Sequence, residues 1–83
     1  MGVSTMSDTY WRTYKGEQAR QVHSGLQILL DKNLLGDDEK ELAHKIQSKL
    51  RNAMQKEGGE YTMIPFSAKQ DELLNHVEGS LWR

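Results

Sequence analysis

Apolar residues recur along this chain with a helical period in three stretches. From Glu17 onward, Ala19, Val22, Leu26 and Leu29 follow one another at spacings of three, four and three, which aligns them on one stripe of an α-helix. Acidic Glu17 opens this segment and Lys32 closes it, the charge order that a helix macrodipole favours. Asn33 to Gly36 reads as the stop, with Gly36 free to take a positive φ. The second stretch repeats the spacing with Ala43, Ile46, Leu50 and Ala53, flanked by Leu42 and Met54. Asp37 or Asp38 can cap it, and Glu41 stands three residues after Asp38 as in a capping box. Gly58-Gly59 ends it, because each glycine inside a helix costs about 1 kcal/mol. Helices over 17–33 and 37–57 with matched seams and a loop of about four residues predict an antiparallel αα-hairpin, whose alanines allow close backbone approach.

The remaining segments are shorter. Glu60 to Phe66 has strand character, with Tyr61, Met63 and Ile64 ahead of Pro65; it either lies across the hairpin or pairs with residues 9–14. Thr9 to Tyr14 reads as a short strand or a first helical turn, broken by Gly16. Ser67 and Gln70 form a capping box for a third helix over 67–82, with Leu73, Leu74, Val77 and Leu81 as its stripe. Residues 1–8 are small and polar without periodicity and read as a flexible arm. The expected fold is therefore mainly α, an αα-hairpin plus a C-terminal third helix with short extended segments around 9–14 and 60–64, in one small domain spanning 9–83.

Composition adds a constraint on size. A chain of 83 residues without cysteine has neither a disulfide framework nor a thiolate metal cage. A core of this size alone supplies about 3–5 kcal/mol, so further burial against another chain is expected. The longest run of the nine hydrophobic types is Ile28-Leu29-Leu30, far short of a membrane span. The N-terminal stretch lacks the charged and apolar regions of a secretory signal, so a cytoplasmic protein is expected.

Candidate chemistry is sparse. His23, His44 and His76 fall on three different predicted helices without the paired spacing that places two ligands on one face, so neither a metal nor another cofactor is expected. The serines sit in the arm, on helix surfaces or at caps, and no Gly-x-Ser-x-Gly elbow is present. Gly58-Gly59 follows a helix instead of preceding one, so it lacks the helix N-terminus that would cradle a phosphate. These features argue against an enzyme.

Net charge is −1, and the basic residues of the second helix are cancelled one for one by Asp37, Asp38, Glu39, Glu41 and Glu57. Nucleic-acid binders neutralise several phosphates and carry a basic excess. The local exception is Arg12, Lys15 and Arg20 interleaved with Tyr10, Trp11 and Tyr14, a cluster suited to stacking and clamping a nucleotide or single strand.

The residues hardest to place in a monomer core are Trp11-Arg12 near one end and Trp82-Arg83 at the other, because Trp and Arg are rich in interface hot spots. Ile28 and Leu35 stand seven residues apart, opposite the hairpin seam of the first helix, with Gly25 on the same side. The resulting expectation is a protein–protein interaction module, a small regulator or inhibitor acting as a homo-oligomer. Its contact candidates are Trp11, Arg12, Ile28, Leu35, Trp82 and Arg83. The alternative is an oligomeric nucleotide-sequestering or nucleic-acid-binding protein that uses Tyr10, Trp11, Arg12, Tyr14, Lys15 and Arg20.

Overall fold

The computed structural model describes residues 9–56 and 59–81. Expectations on the arm 1–8, on Glu57-Gly58 and on Trp82-Arg83 lie outside the described residues. Within them the order is β1 (Tyr10–Lys15), α1 (Gly16–Asp31), α2 (Asp37–Met54), β2 (Tyr61–Phe66) and α3 (Ala68–Leu81). The αα-hairpin and the third helix are as the periodicity predicts. Both extended segments are strands, and they pair with each other: β1 and β2 run antiparallel in register Tyr10 with Phe66 through Lys15 with Tyr61.

Gly16 does not break the chain. It is the first residue of α1, so the strand passes into the helix without a loop, with Lys15 in extended conformation as N-cap. Glycine is needed here for space: a Cβ would stand 2.3 Å from the Lys56 carbonyl oxygen, where the end of α2 meets the start of α1. The Lys15 N–H donates to Gln18 Oε1 at 3.0 Å, satisfying a donor at the helix entry.

The stop of α1 also differs in detail. Asn33, with φ 56°, takes the left-handed conformation expected of Gly36. The Asn33 N–H donates to Leu30 O at 3.1 Å and the Leu34 N–H to Leu29 O at 3.0 Å, the two bonds of a Schellman motif. Gly36 instead caps α2, its N–H donating to Glu39 Oε1 at 3.0 Å, so Glu39 takes the part assigned to Glu41. Helix α2 ends at Met54, and Arg20 donates to the Met54 carbonyl at 3.0 Å. The box at α3 is as expected, with Ser67 N–H to Gln70 Oε1 at 2.9 Å and Gln70 N–H to Ser67 Oγ at 3.3 Å.

Ala19, Val22 and Leu26 from α1 meet Ala43, Ile46, Leu50 and Ala53 from α2 in a fully buried seam. Buried Gln47 bridges the hairpin, donating to the His23 carbonyl and to Gln27 Oε1, both at 3.2 Å. Phe66, Ile64 and Tyr14 enter the same core from the sheet, and Leu73, Leu74 and Val77 from α3. Helix α3 closes on α1 at Gly25, where an added Cβ would stand 3.1 Å from Val77 Cγ1. The side of α1 read as a free second face is therefore partly covered by the protein's own third helix.

Candidate interaction surface

Side chains alternate across a strand, so the register of β1 and β2 sorts their residues onto two faces. Tyr10, Arg12 and Tyr14 share the inner face with Phe66, Ile64 and Thr62. Trp11, Thr13 and Lys15 share the outer face with Pro65, Met63 and Tyr61. On that outer face Trp11 is 58% exposed, Met63 62% and Tyr61 61%. The Lys15 ammonium lies 5.2 Å from the centre of the Tyr61 ring, a cation–π contact at the end of the sheet. The outer face thus presents an aromatic, a thioether, a proline ring and a second aromatic in neighbouring cross-strand positions, with a cation at one end. Side-chain chemistry of this kind contributes most when an interface excludes water from it.

The inner face holds Arg12, whose side chain is only 18% exposed. Its Nε donates to Asp71 Oδ1 at 2.7 Å, Nη1 to Glu78 Oε1 at 2.9 Å and Nη2 to Asn75 Oδ1 at 2.6 Å. Burial alone would lower its pKa, but the hydrogen bond to Asp71 and the charge of Glu78 more than compensate and raise it. Arg12 therefore ties β1 to α3. The Tyr14 hydroxyl donates to the other carboxylate oxygen of Glu78. Burial first, and then that bond, push the Tyr14 phenol well above its ordinary value.

The aromatic and basic cluster near the N-terminus is thus split between two faces and engaged within the chain. Arg12 is held by α3, Lys15 lies over Tyr61, Arg20 caps the end of α2, and Tyr14 is buried against Glu78. Tyr10 remains partly exposed on the inner side. A groove of about 280 Å³ is lined by Trp11, Arg12 and Tyr14 together with Thr13, Gln18 and Glu78, whereas Tyr10, Lys15 and Arg20 do not line it.

Among the partner-contact candidates, Trp11 and Ile28 are exposed, Ile28 by 51%. They sit on different elements, Trp11 on the outer sheet face and Ile28 in a groove of about 190 Å³ between α1 and α3. Leu35 is buried and belongs to the core. Helix α1 stops at Asp31, so the seven-residue spacing from Ile28 does not carry its face forward, and the turn brings Leu35 to Leu42 and Leu73. Arg12 is engaged as described, and Trp82 and Arg83 lie outside the described residues. Met63, Tyr61 and Pro65 are surface residues that the sequence reading did not single out. Their signal was alternation about Met63, readable only once β2 is known to pair with β1.

The histidines stand apart from one another. His23 is half-buried, and burial and then Arg51 lower its pKa; His44 and His76 are exposed. Among the described residues no group of three or more His, Cys, Asp or Glu side chains is placed to hold a metal ion, and no helix is long and apolar enough to cross a membrane. The chain matches no family model, no curated protein and no solved structure.

Proposed function

We propose that this chain is a non-enzymatic protein–protein interaction module of the cytoplasm, a small regulator or inhibitor that acts as a homo-oligomer and docks its outer sheet face onto a partner protein. The observation that carries this reading is the outer face itself: Trp11, Met63 and Tyr61 each leave more than half of their surface in water on one side of a two-stranded sheet. Full burial of a large apolar side chain contributes about 1.5–3 kcal/mol, and the part of that still to be gained at three adjoining positions together favours association. The nucleotide-binding alternative is not carried forward, because the cations it relied on are committed to Asp71, Glu78, Tyr61 and the end of α2.

The test compares the full chain with a Tyr61→Ser, Met63→Ser double variant in cross-linking from host lysate, after both are shown to unfold at the same denaturant concentration. A hetero-adduct of defined mass in the parent, reduced about tenfold or more in the variant, supports the reading. Equal capture by the two proteins, or a strictly monomeric parent with no adduct, refutes it.

A further inference from the structure

The two edges of the sheet are not equivalent, and the hydrogen bonds at their ends show which backbone groups face outward. The Lys15 N–H donates to Gln18 Oε1, at the start of α1, and so is directed away from Tyr61, its partner across the sheet. Opposite Trp11 stands Pro65, which has no N–H to exchange. Both facts make Lys15–Tyr61 and Trp11–Pro65 the non-hydrogen-bonded type of antiparallel pair, in which N–H and C=O point away from the neighbouring strand. Alternation places Thr13–Met63 in the same class. The N–H and C=O of Trp11 and of Thr13 therefore point outward from β1.

On the far side, β2 is interrupted. Pro65 offers no donor there, and its carbonyl accepts from the Lys49 ammonium at 2.7 Å. Proline and lysine at an edge are ordinary devices against strand addition. The edge of β1 has no proline, and its one lysine, Lys15, stands at the last position of the strand with its ammonium over the Tyr61 ring. This edge opens on a groove of about 280 Å³ lined by Trp11, Arg12, Thr13, Tyr14, Gln18 and Glu78, and among the described residues the sheet has no third strand to fill it.

We propose that the open edge of β1 receives the β1 strand of a second copy of this chain, antiparallel and two-fold symmetric, with Trp11 opposite the partner's Thr13. This inference rests on the homo-oligomer reading and names the surface that assembles it. The match is self-complementary: two outward N–H and two outward C=O groups on each copy form four inter-subunit hydrogen bonds, and an isologous interface requires that kind of reciprocity. Lys15 is excluded from the ladder because Gln18 holds its N–H and α1 begins beside it, which centres the two-fold on Arg12. Two arginines would then face each other, but each is already neutralised by Asp71 and Glu78 of its own chain. On the outer face the two Trp11 rings become diagonal neighbours about 7–8 Å apart at Cα, within reach for aromatic packing. A short foreign peptide would find the same few hydrogen bonds without that second tryptophan. The product is a continuous four-stranded sheet, β2-β1-β1-β2, with its edge strands blunted.

Sedimentation equilibrium and amide exchange by NMR on the full chain, over a range of concentrations, test this directly. Exchange protection of the Trp11 and Thr13 amides is expected to rise with concentration in parallel with the dimer. Thr13→Pro removes one donor per copy, two bonds per dimer, and should raise the dissociation constant about thirtyfold, while Thr13→Ala leaves it unchanged. Met63→Pro removes the corresponding outward donor from β2 and should also leave it unchanged. A dimer whose Trp11 and Thr13 amides exchange freely at every concentration overturns the strand pairing but leaves homo-oligomerisation standing. A monomer at all concentrations overturns both. The exchange measurement needs no variant, so it decides the matter even where a proline variant does not fold.

Discussion

On the inner face of the β1–β2 sheet Phe66, Ile64 and Tyr14 are almost wholly buried, whereas on the outer face of the same two strands Trp11, Met63 and Tyr61 are more than half exposed. The two faces are built from similar residue types in strict alternation along strands of equal length. The difference lies in the helices, which pack against the inner side, so that only inner residues exchange water for protein contact. Apolar character therefore stabilises one face and stays in contact with water on the other among the described residues. Polar groups divide in the same way. Arg12 and Tyr14 point inward to Asp71 and Glu78, while Lys15 points outward and lies over the Tyr61 ring.

Substitutions can break this contrast in a definite order. Phe66→Ala removes the largest fully buried side chain and should cost about 3–5 kcal/mol, read from the midpoint of urea unfolding. For a domain this small that is most of its stability. Arg12→Met keeps much of the apolar stem but leaves Asp71 and Glu78 without their cation. A loss of about 1–3 kcal/mol is expected, and it should be partly recovered in an Arg12→Met, Glu78→Gln double variant.

Tyr14→Phe deletes the hydroxyl bond to Glu78 and should cost about 1 kcal/mol at neutral pH. It should also change the alkaline behaviour. Because the folded state raises the phenol pKa above its ordinary 10.0, the unfolded chain releases that proton first as pH rises. The Tyr14 contribution is thus fully present below about pH 10 and is lost as pH climbs through the folded pKa. Urea unfolding of parent and variant between pH 8 and 11 should show a stability gap that narrows above pH 10; a gap constant across that range would contradict the buried, hydrogen-bonded phenol. Smallest of all, Met63→Ser on the outer face should change monomer stability by no more than about 0.5 kcal/mol. A loss approaching that of Phe66→Ala would show that the outer face is covered within the chain and is no interaction surface.

How far the sequence could be read depended on how far apart the interacting residues lie. The hairpin seam of Ala19, Val22, Leu26, Ala43, Ile46, Leu50 and Ala53 was legible because a helix repeats its buried positions every three or four residues. The Ser67–Gln70 box was legible for the same local reason. Gly16 was misread as a breaker because its constraint comes from the Lys56 carbonyl, distant in sequence. Leu35 was misread because a helical period was extended past Asp31, where the left-handed Asn33 ends it. Arg12 looked free to hold a ligand because its partners at Asp71 and Glu78 are 59 and 66 residues away.

By itself, then, the sequence determined the three helices, their seams and the presence of two extended segments, since each depends on periodicity and capping within a few residues. Only the tertiary structure decided that those segments pair and which of their faces meets the helices. Those outcomes depend on register between strands separated by a whole helical hairpin. A shift of one residue in that register would have exchanged the buried and exposed faces without altering a single local preference.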